Sequence, residues 1–152
     1  MSQFDPEAFL DSTMDQPLTK RPPIMPGSYS AEIGEPKMRE WASKDGTKSG
    51  LALDVPLTLQ LTPEEAERVG QPSVGVTDSL FLDIGSDGKS LDVAPGKNRR
   101  LRAYREATGL NNPGDKFSVR MLQGRQVKVA VKHEPAKDSD DIYERVGAVA
   151  KA

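Results

Sequence analysis

The amino-acid sequence predicts a mainly β fold, and three observations support this prediction. Apolar residues occupy every second position from Leu51 to Leu61, which is the period of a strand with one buried face. The chain of 152 residues contains 13 Gly and 12 Pro, a composition rich in turn formers. Only residues 99–107 carry a sizeable helical stripe of apolar side chains. Short strands joined by turns therefore suit this sequence better than a bundle of helices.

Residues 1–27 are predicted to form an extended N-terminal arm ahead of a single domain at residues 28–150. Pro22, Pro23 and Pro26 stop any helix there and favour an extended chain. A short helix over residues 6–11 is compatible with a cap at residue 5. We expect the aromatic rings at positions 4 and 9 to dock on the core of the protein, and docking on a partner protein is the alternative.

The first half of the domain shows strand patterns joined by a hairpin. Alternation begins at Tyr29 and continues past Pro36 to Trp41 as a bulge or an edge. The Asp45-Gly46 pair that follows is a strong hairpin signal, and it leads into the long strand of residues 51–61. A short capped helix is predicted over residues 62–70 as a connector.

The second half adds three strands and the longer helix. Strands are predicted over residues 74–84, 126–131 and 142–149, and the helix of residues 99–107 starts at Asn98 as its cap. The order is that of an OB-like five-stranded, partly open barrel with one helix between strands 3 and 4. A β-sandwich fits the same pattern and is the alternative.

Composition also limits the class of protein. No apolar run approaches the roughly 20 residues that a membrane span needs, and the N-terminus lacks the layout of a secretory signal. The absence of Cys excludes disulfides, thiolate metal sites and thiol nucleophiles, and it suits a reducing cytoplasm. We therefore expect a cytoplasmic protein without a membrane partner.

Catalytic signals are weak. The single histidine, His133, lies beside Glu134 at the end of a strand pattern, where a surface residue is more common than a general base. The sequence has no phosphate-binding loop, metal-spaced histidine cluster or nucleophile elbow. The acidic residues at 138–141 lack the central Gly and closing Glu of a calcium loop. The prediction is a protein that is not an enzyme and has no cofactor or metal.

The charge is distributed unevenly, although the net charge is only −2. Residues 96–134 contain ten basic and three acidic side chains, and the rest of the chain contains 11 basic and 20 acidic ones. This asymmetry predicts one basic face on an acidic body. A basic face with aromatic rings is typical of proteins that bind single-stranded nucleic acid.

Twelve side chains are candidates for such contacts. Trp41 lies among lysines, as base stacking with phosphate neutralisation requires, although burial in the core is equally compatible with the sequence. Arginines at the start of the longer helix can hold phosphates. Phe81 and Tyr143 are out of step with the apolar alternation and are expected on the outer face. The candidates are Lys37, Arg39, Trp41, Lys44, Lys48, Phe81, Arg99, Arg100, Arg102, Arg105, Lys128 and Tyr143.

Two runs in the C-terminal half resemble small bacteriophage proteins of the single-stranded DNA-binding type. They are residues 97–110, where a helix ends in Ala-x-Gly, and residues 122–131, where Leu-x-Gly-Arg precedes a strand. The entry into the first strand at residues 26–29 is similar too. The resemblance implies an OB-like protein of phage replication or recombination that handles single strands in an infected bacterial cell. The chain departs from it in ending without an acidic tail.

Two hypotheses of different classes follow. The first is sequence-tolerant, non-enzymatic binding of single-stranded DNA, with RNA as an alternative ligand. The second is a protein-binding or virion-associated module that docks through residues 1–27, and inhibition of a host enzyme is a variant of it.

Overall fold

The structure is a computed structural model that describes residues 5–13 and 21–152. Its helices are α1 (Pro6–Leu10), α2 (Pro63–Val69) and α3 (Arg99–Ala107), and a 3-10 turn covers Val119–Leu122. The strands are β1 (Gly27–Ile33), β2 (Lys37–Ala42), β3 (Ser49–Gln60), β4 (Ser73–Phe81), β5 (Gln126–Pro135) and β6 (Ile142–Lys151).

The six strands form one antiparallel sheet that curls into a half-barrel. On one edge of β3, the first half of the strand pairs with β2 and the last part with β1, and β4 pairs along the other edge. The sheet continues from β1 to β5 and then to β6. Within the described residues no backbone ladder joins β4 to β6, so the barrel has an open seam. This architecture is consistent with an OB-like, partly open barrel and confirms the predicted fold class.

The sheet has six strands where the sequence predicted five, because residues 34–36 divide the first strand in two. The amide of Gly34 donates to the carbonyl of Pro56 at 2.8 Å, while the amide of Ile33 donates to the carbonyl of Arg125. Pro36 has no amide hydrogen and cannot continue a ladder. With β1 and β2 counted as one strand, α3 lies between strands 3 and 4 as predicted.

Buried and more exposed side chains alternate along β3, β4 and β5, and the buried ones form the interior face of the sheet. The predicted apolar stripe of α3 is confirmed, since Leu101, Tyr104 and Ala107 are buried in the same core. The alternation fails at Ala52. This residue lies between the apolar positions 51 and 53 and was therefore predicted on the solvent-exposed face, but it has no exposed surface. The reason is its place in the register, where Arg39 and Phe81 are its direct neighbours on that face.

A buried polar cluster closes the open seam. Asp78 points inward from β4 and is only 5% exposed. Its carboxylate accepts a hydrogen bond from the Tyr104 hydroxyl at 2.7 Å and another from Arg100 Nη2 at 2.6 Å. The same nitrogen of Arg100 donates to the carbonyl of Val146 in β6. One guanidinium therefore ties β4 to β6 where the backbone ladder is missing.

The cluster also fixes the protonation of Tyr104. Burial raises the pKa of the Tyr104 phenol, and the nearby charge of Asp78 raises it further. The phenol therefore stays protonated and donates to the carboxylate throughout the ordinary pH range.

The end of the predicted arm, residues 21–26, is fastened to the sheet. Arg21 donates two hydrogen bonds to the carboxylate of Glu144, which also accepts from the amide of Ile24. His133 Nε2 lies 2.6 Å from the carbonyl of Ile24, and the Ile24 side chain is fully buried in the core. His133 therefore holds the arm in place through this contact.

The start of the arm is a short capped helix, as predicted. The Asp5 side chain accepts from the amide of Glu7 and caps α1. The expectation that Phe9 docks on the core is wrong, because its side chain is 67% exposed. Position 4 lies outside the described residues.

The predicted position of Asn98 as the N-cap of α3 is confirmed, but its side chain does not make the capping bond. Asn98 occupies the N-cap position with φ of 52°, in the left-handed region, and its side chain makes no capping bond. Its Oδ1 accepts instead from the amide of Asp83, and its Nδ2 donates to the carbonyls of Asp83 and Asp92. Asn98 thus fastens the loop between β4 and α3 to the start of the helix.

Candidate nucleic-acid interface

One outward-facing surface of the sheet brings together aromatic and charged side chains from β2, β3 and β4. Residues directly opposite each other in antiparallel strands point to the same side of the sheet. The register pairs Trp41 with Gly50, Arg39 with Ala52, and Lys37 with Asp54. It also pairs Phe81 with Ala52 and Ser79 with Asp54. We call this surface the β2–β4 face and define it by these eight residues.

Two aromatic rings form the apolar part of the β2–β4 face. The rings of Trp41 and Phe81 meet edge to face, with centroids 5.3 Å apart and planes at 73°. Trp41 is half-buried on this outer face and is not part of the core. The sequence was compatible with either a core or a surface position, and the structure has Trp41 at the surface. Phe81 is 65% exposed, as its departure from the alternation predicted.

Gly50 makes room for the indole of Trp41. A Cβ atom at position 50 would lie 2.9 Å from Trp41 Nε1, which is closer than real Cβ contacts. The ring of Trp41 therefore lies directly over the backbone of β3, and this contact fixes its orientation beside Phe81.

A polar cluster adjoins the rings on the same face. Arg39 Nε donates to Asp54 Oδ2 at 2.8 Å, and Ser79 Oγ donates to Asp54 Oδ1 at 2.6 Å. The side chain of Arg39 is 44% exposed and that of Asp54 is 27% exposed. Within the described part of the chain, Nε is the only guanidinium nitrogen of Arg39 with a hydrogen-bond partner, which leaves the two terminal nitrogens as donors to a ligand.

The β2–β3 hairpin carries Lys44 and Lys48 at its tip, both exposed. The predicted hairpin is confirmed. Asp45 stabilises its turn by accepting hydrogen bonds from the Ser43 hydroxyl and from the amide and hydroxyl of Thr47. These hydrogen bonds lower the pKa of Asp45 to about 2. The turn thus presents two lysines beside a carboxylate that stays ionised.

The arginines of α3 only partly fit the predicted role in phosphate binding. Arg100 closes the seam, Arg102 donates to the carbonyls of Val93 and Ala94, and Arg105 donates to those of Leu110 and Asp115. The guanidinium of Arg105 also lies over the ring of Phe117, at 5.2 Å from its centroid. These three side chains are engaged by the protein itself.

Arg99 adjoins the β2–β4 face. It lines a hollow of about 180 Å³ together with Phe81 and Arg100. Arg99 is exposed, so among the α3 arginines it is the one that the fold leaves available beside Phe81.

Lys128 and Tyr143 lie elsewhere, on the outward surface of β5 and β6 at the other end of the strand order. The guanidinium of Arg145 lies over the Tyr143 ring at 5.3 Å, and Arg145 also pairs with Glu134. One face of the tyrosine ring is therefore covered. The twelve predicted residues divide among the β2–β4 face with its hairpin, the α3 helix, and this third surface.

Sequence reasoning missed Asp54, Ser79 and Gly50 as members of the face. The alternation of β3 did predict that Asp54 lies on the solvent-exposed face of the strand. Its partners come from strands that start 12 residues before and 24 residues after β3 begins, so only the register reveals the cluster.

No protein-family model matches this chain, and no curated protein matches its sequence. Within residues 5–13 and 21–152, no group of three or more His, Asp or Glu side chains is placed to hold a metal ion. None of the described helices has the length and apolar character needed to cross a membrane.

Proposed function

We propose that this protein is a non-enzymatic single-stranded DNA-binding protein of phage replication or recombination type, which acts in the cytoplasm of an infected bacterial cell. The observation that carries the proposal is the Trp41–Phe81 pair, a half-buried and an exposed ring beside Arg39 and Lys37 on one face of a half-barrel. OB-like barrels use such a face for oligonucleotides.

Exposure of the rings supports a ligand that stacks. Phe81 leaves about two thirds of its surface in water, which costs free energy unless a partner covers it. Base stacking on an aromatic side chain is worth roughly 1–3 kcal/mol per base and tolerates any sequence, because each base has a π face. The two rings together can therefore provide a sizeable share of the affinity.

The charges of the β2–β4 face determine how strongly the affinity for single-stranded DNA depends on salt. Lys37, Arg39, Lys44 and Lys48 are the cations of the face and its hairpin, and Asp45 and Asp54 offset part of this charge. Each phosphate contact to a single strand contributes a slope of roughly −0.7 in log K against log salt. Four such contacts give a slope of about −3, so stacking carries a larger share here than in a strongly basic protein.

The direct test is a fluorescence titration of Trp41, the only tryptophan, with oligo-dT at low salt. We expect quenching by single strands, weaker effects from duplex DNA, and reversal by added salt. Comparison with oligo-U separates DNA from RNA as the preferred ligand. Absence of quenching together with absence of gel retardation would refute the proposal.

A second function, docking on a partner protein through the arm, is favoured by one observation. Phe9 and Leu10 are 67% and 78% exposed on the capped helix α1, whereas the base of the arm is fastened at Ile24. A chain lacking residues 1–20 keeps the fastened part. We expect it to retain DNA affinity and to lose proteins that co-purify with the full chain from infected cells. Co-purification of the same proteins with both chains would contradict this function.

A further inference from the structure

Asp54 is an unexpected group to find on a face that binds a polyanion. Its carboxylate is partly exposed, and Arg39 and Ser79 each donate to one of its oxygens. A carboxylate repels phosphate, so a role in backbone contacts is excluded for it. Each carboxylate oxygen can accept two hydrogen bonds and accepts one here, so acceptor capacity remains for N–H groups of a ligand.

The position of Asp54 relative to Phe81 suggests what those N–H groups are. Phe81 lies opposite Ala52, and Asp54 is the next residue of β3 on the same face. Neighbouring residues on one face of a strand are about 7 Å apart, comparable with the width of a purine. A base stacked on Phe81 and extending along β3 thus brings its hydrogen-bonding edge to Asp54 and Arg39.

We propose that Asp54 and Arg39 together favour guanine over thymine in the base stacked on Phe81, an inference that rests on the proposed function. Guanine presents two adjacent donors, N1–H and the N2 amino group, to the carboxylate, and its O6 accepts from a terminal nitrogen of Arg39. Thymine presents two carbonyl acceptors and one donor. Its carbonyl oxygens are repelled by a carboxylate, which is itself an acceptor. Single-stranded bases are read on this edge because it is unpaired.

Ser79 and Arg39 position the carboxylate for this contact. Both of its oxygens are held from the side, by a hydroxyl at 2.6 Å and a guanidinium at 2.8 Å. A ligand that meets a fixed group loses less conformational freedom on binding. The preference therefore depends on Ser79 as well as on Asp54.

The test uses the full chain and labelled dT oligomers that carry dG, dI or dT at the same spaced positions. Inosine lacks the N2 amino group and removes one of the two donors. By fluorescence anisotropy we expect about five- to tenfold tighter binding for dG than for dT, with dI between them. Asp54→Asn should bring the three ligands to similar affinity, and Ser79→Ala should reduce the preference.

Glu32→Gln is the matched control, because it removes the same charge from an exposed position on the outward side of β1. It should keep the dG preference. Equal binding of dG and dT by the unmodified protein, or an unchanged preference in folded Asp54→Asn, would overturn the inference and leave the proposed function intact. Failure to bind any of the strands would overturn both.

Discussion

Removal of the Tyr104 hydroxyl tests how much the buried cluster around Asp78 stabilises the fold. Tyr104→Phe keeps the ring, which is 1% exposed, and removes only the hydroxyl that donates to Asp78. A hydrogen bond to a charged group contributes roughly 1.5–3 kcal/mol, and a buried acceptor that loses its donor adds a desolvation cost. Because Arg100 still donates to Asp78, we expect a loss of about 2 kcal/mol in the free energy of unfolding.

Urea denaturation at pH 7 measures this loss, and Tyr143→Phe is the matched control. Tyr143 is 48% exposed, so removal of its hydroxyl should change the free energy of unfolding by less than about 0.5 kcal/mol. Equal effects of the two substitutions would refute the assignment of the Tyr104–Asp78 hydrogen bond as a stabilising buried contact.

Two further predictions concern the aromatic contact and the fastened arm. Gly50→Ala should displace the indole of Trp41, shift its fluorescence emission and weaken DNA binding, whereas Gly75→Ala, with nothing within 4 Å of its added Cβ, should change neither. Burial raises the pKa of Glu144, but hydrogen bonds from Arg21 and from the arm backbone outweigh it, so the net pKa falls below 4.5. Its stabilisation is then complete above pH 4.5 and lost as the pH falls through the folded pKa. Denaturation at pH 7 should show Glu144→Gln about 1–2 kcal/mol less stable, and the gap should narrow as the pH falls below 4.5 and through the folded pKa; a gap independent of pH would contradict this.

The sequence predicted most of the strands because one buried face imposes a period of two. The alternation around Val55 and around Val129 is visible without any knowledge of partners, and so is the apolar stripe of α3. Local turn chemistry likewise located the hairpin at Gly46. These features depend on neighbours in the chain, which a single sequence displays.

The residues of the site could be predicted only in part. Which side chains meet depends on the register of the β2–β3 and β3–β4 pairings, and which arginines are free for a ligand depends on the contacts at the seam. Lys37, Arg39 and Trp41 are close in sequence, but their contact with Phe81 follows from two strand pairings. Arg100 has the same local appearance as Arg99, yet it donates to a buried carboxylate of β4 and to a carbonyl of β6. No local pattern distinguishes a structural arginine from one that is available to a ligand.

The affinity of Phe81→Ala for a labelled oligo-dT, compared with that of Tyr143→Ala, tests the proposed binding face most directly. Loss of one stacking ring corresponds to roughly 1–3 kcal/mol, so Phe81→Ala should bind at least about fivefold more weakly at low salt. Tyr143→Ala, which changes a ring on the third surface, should bind like the unmodified protein. Equal affinities for all three proteins would contradict the assignment of single-strand binding to the β2–β4 face.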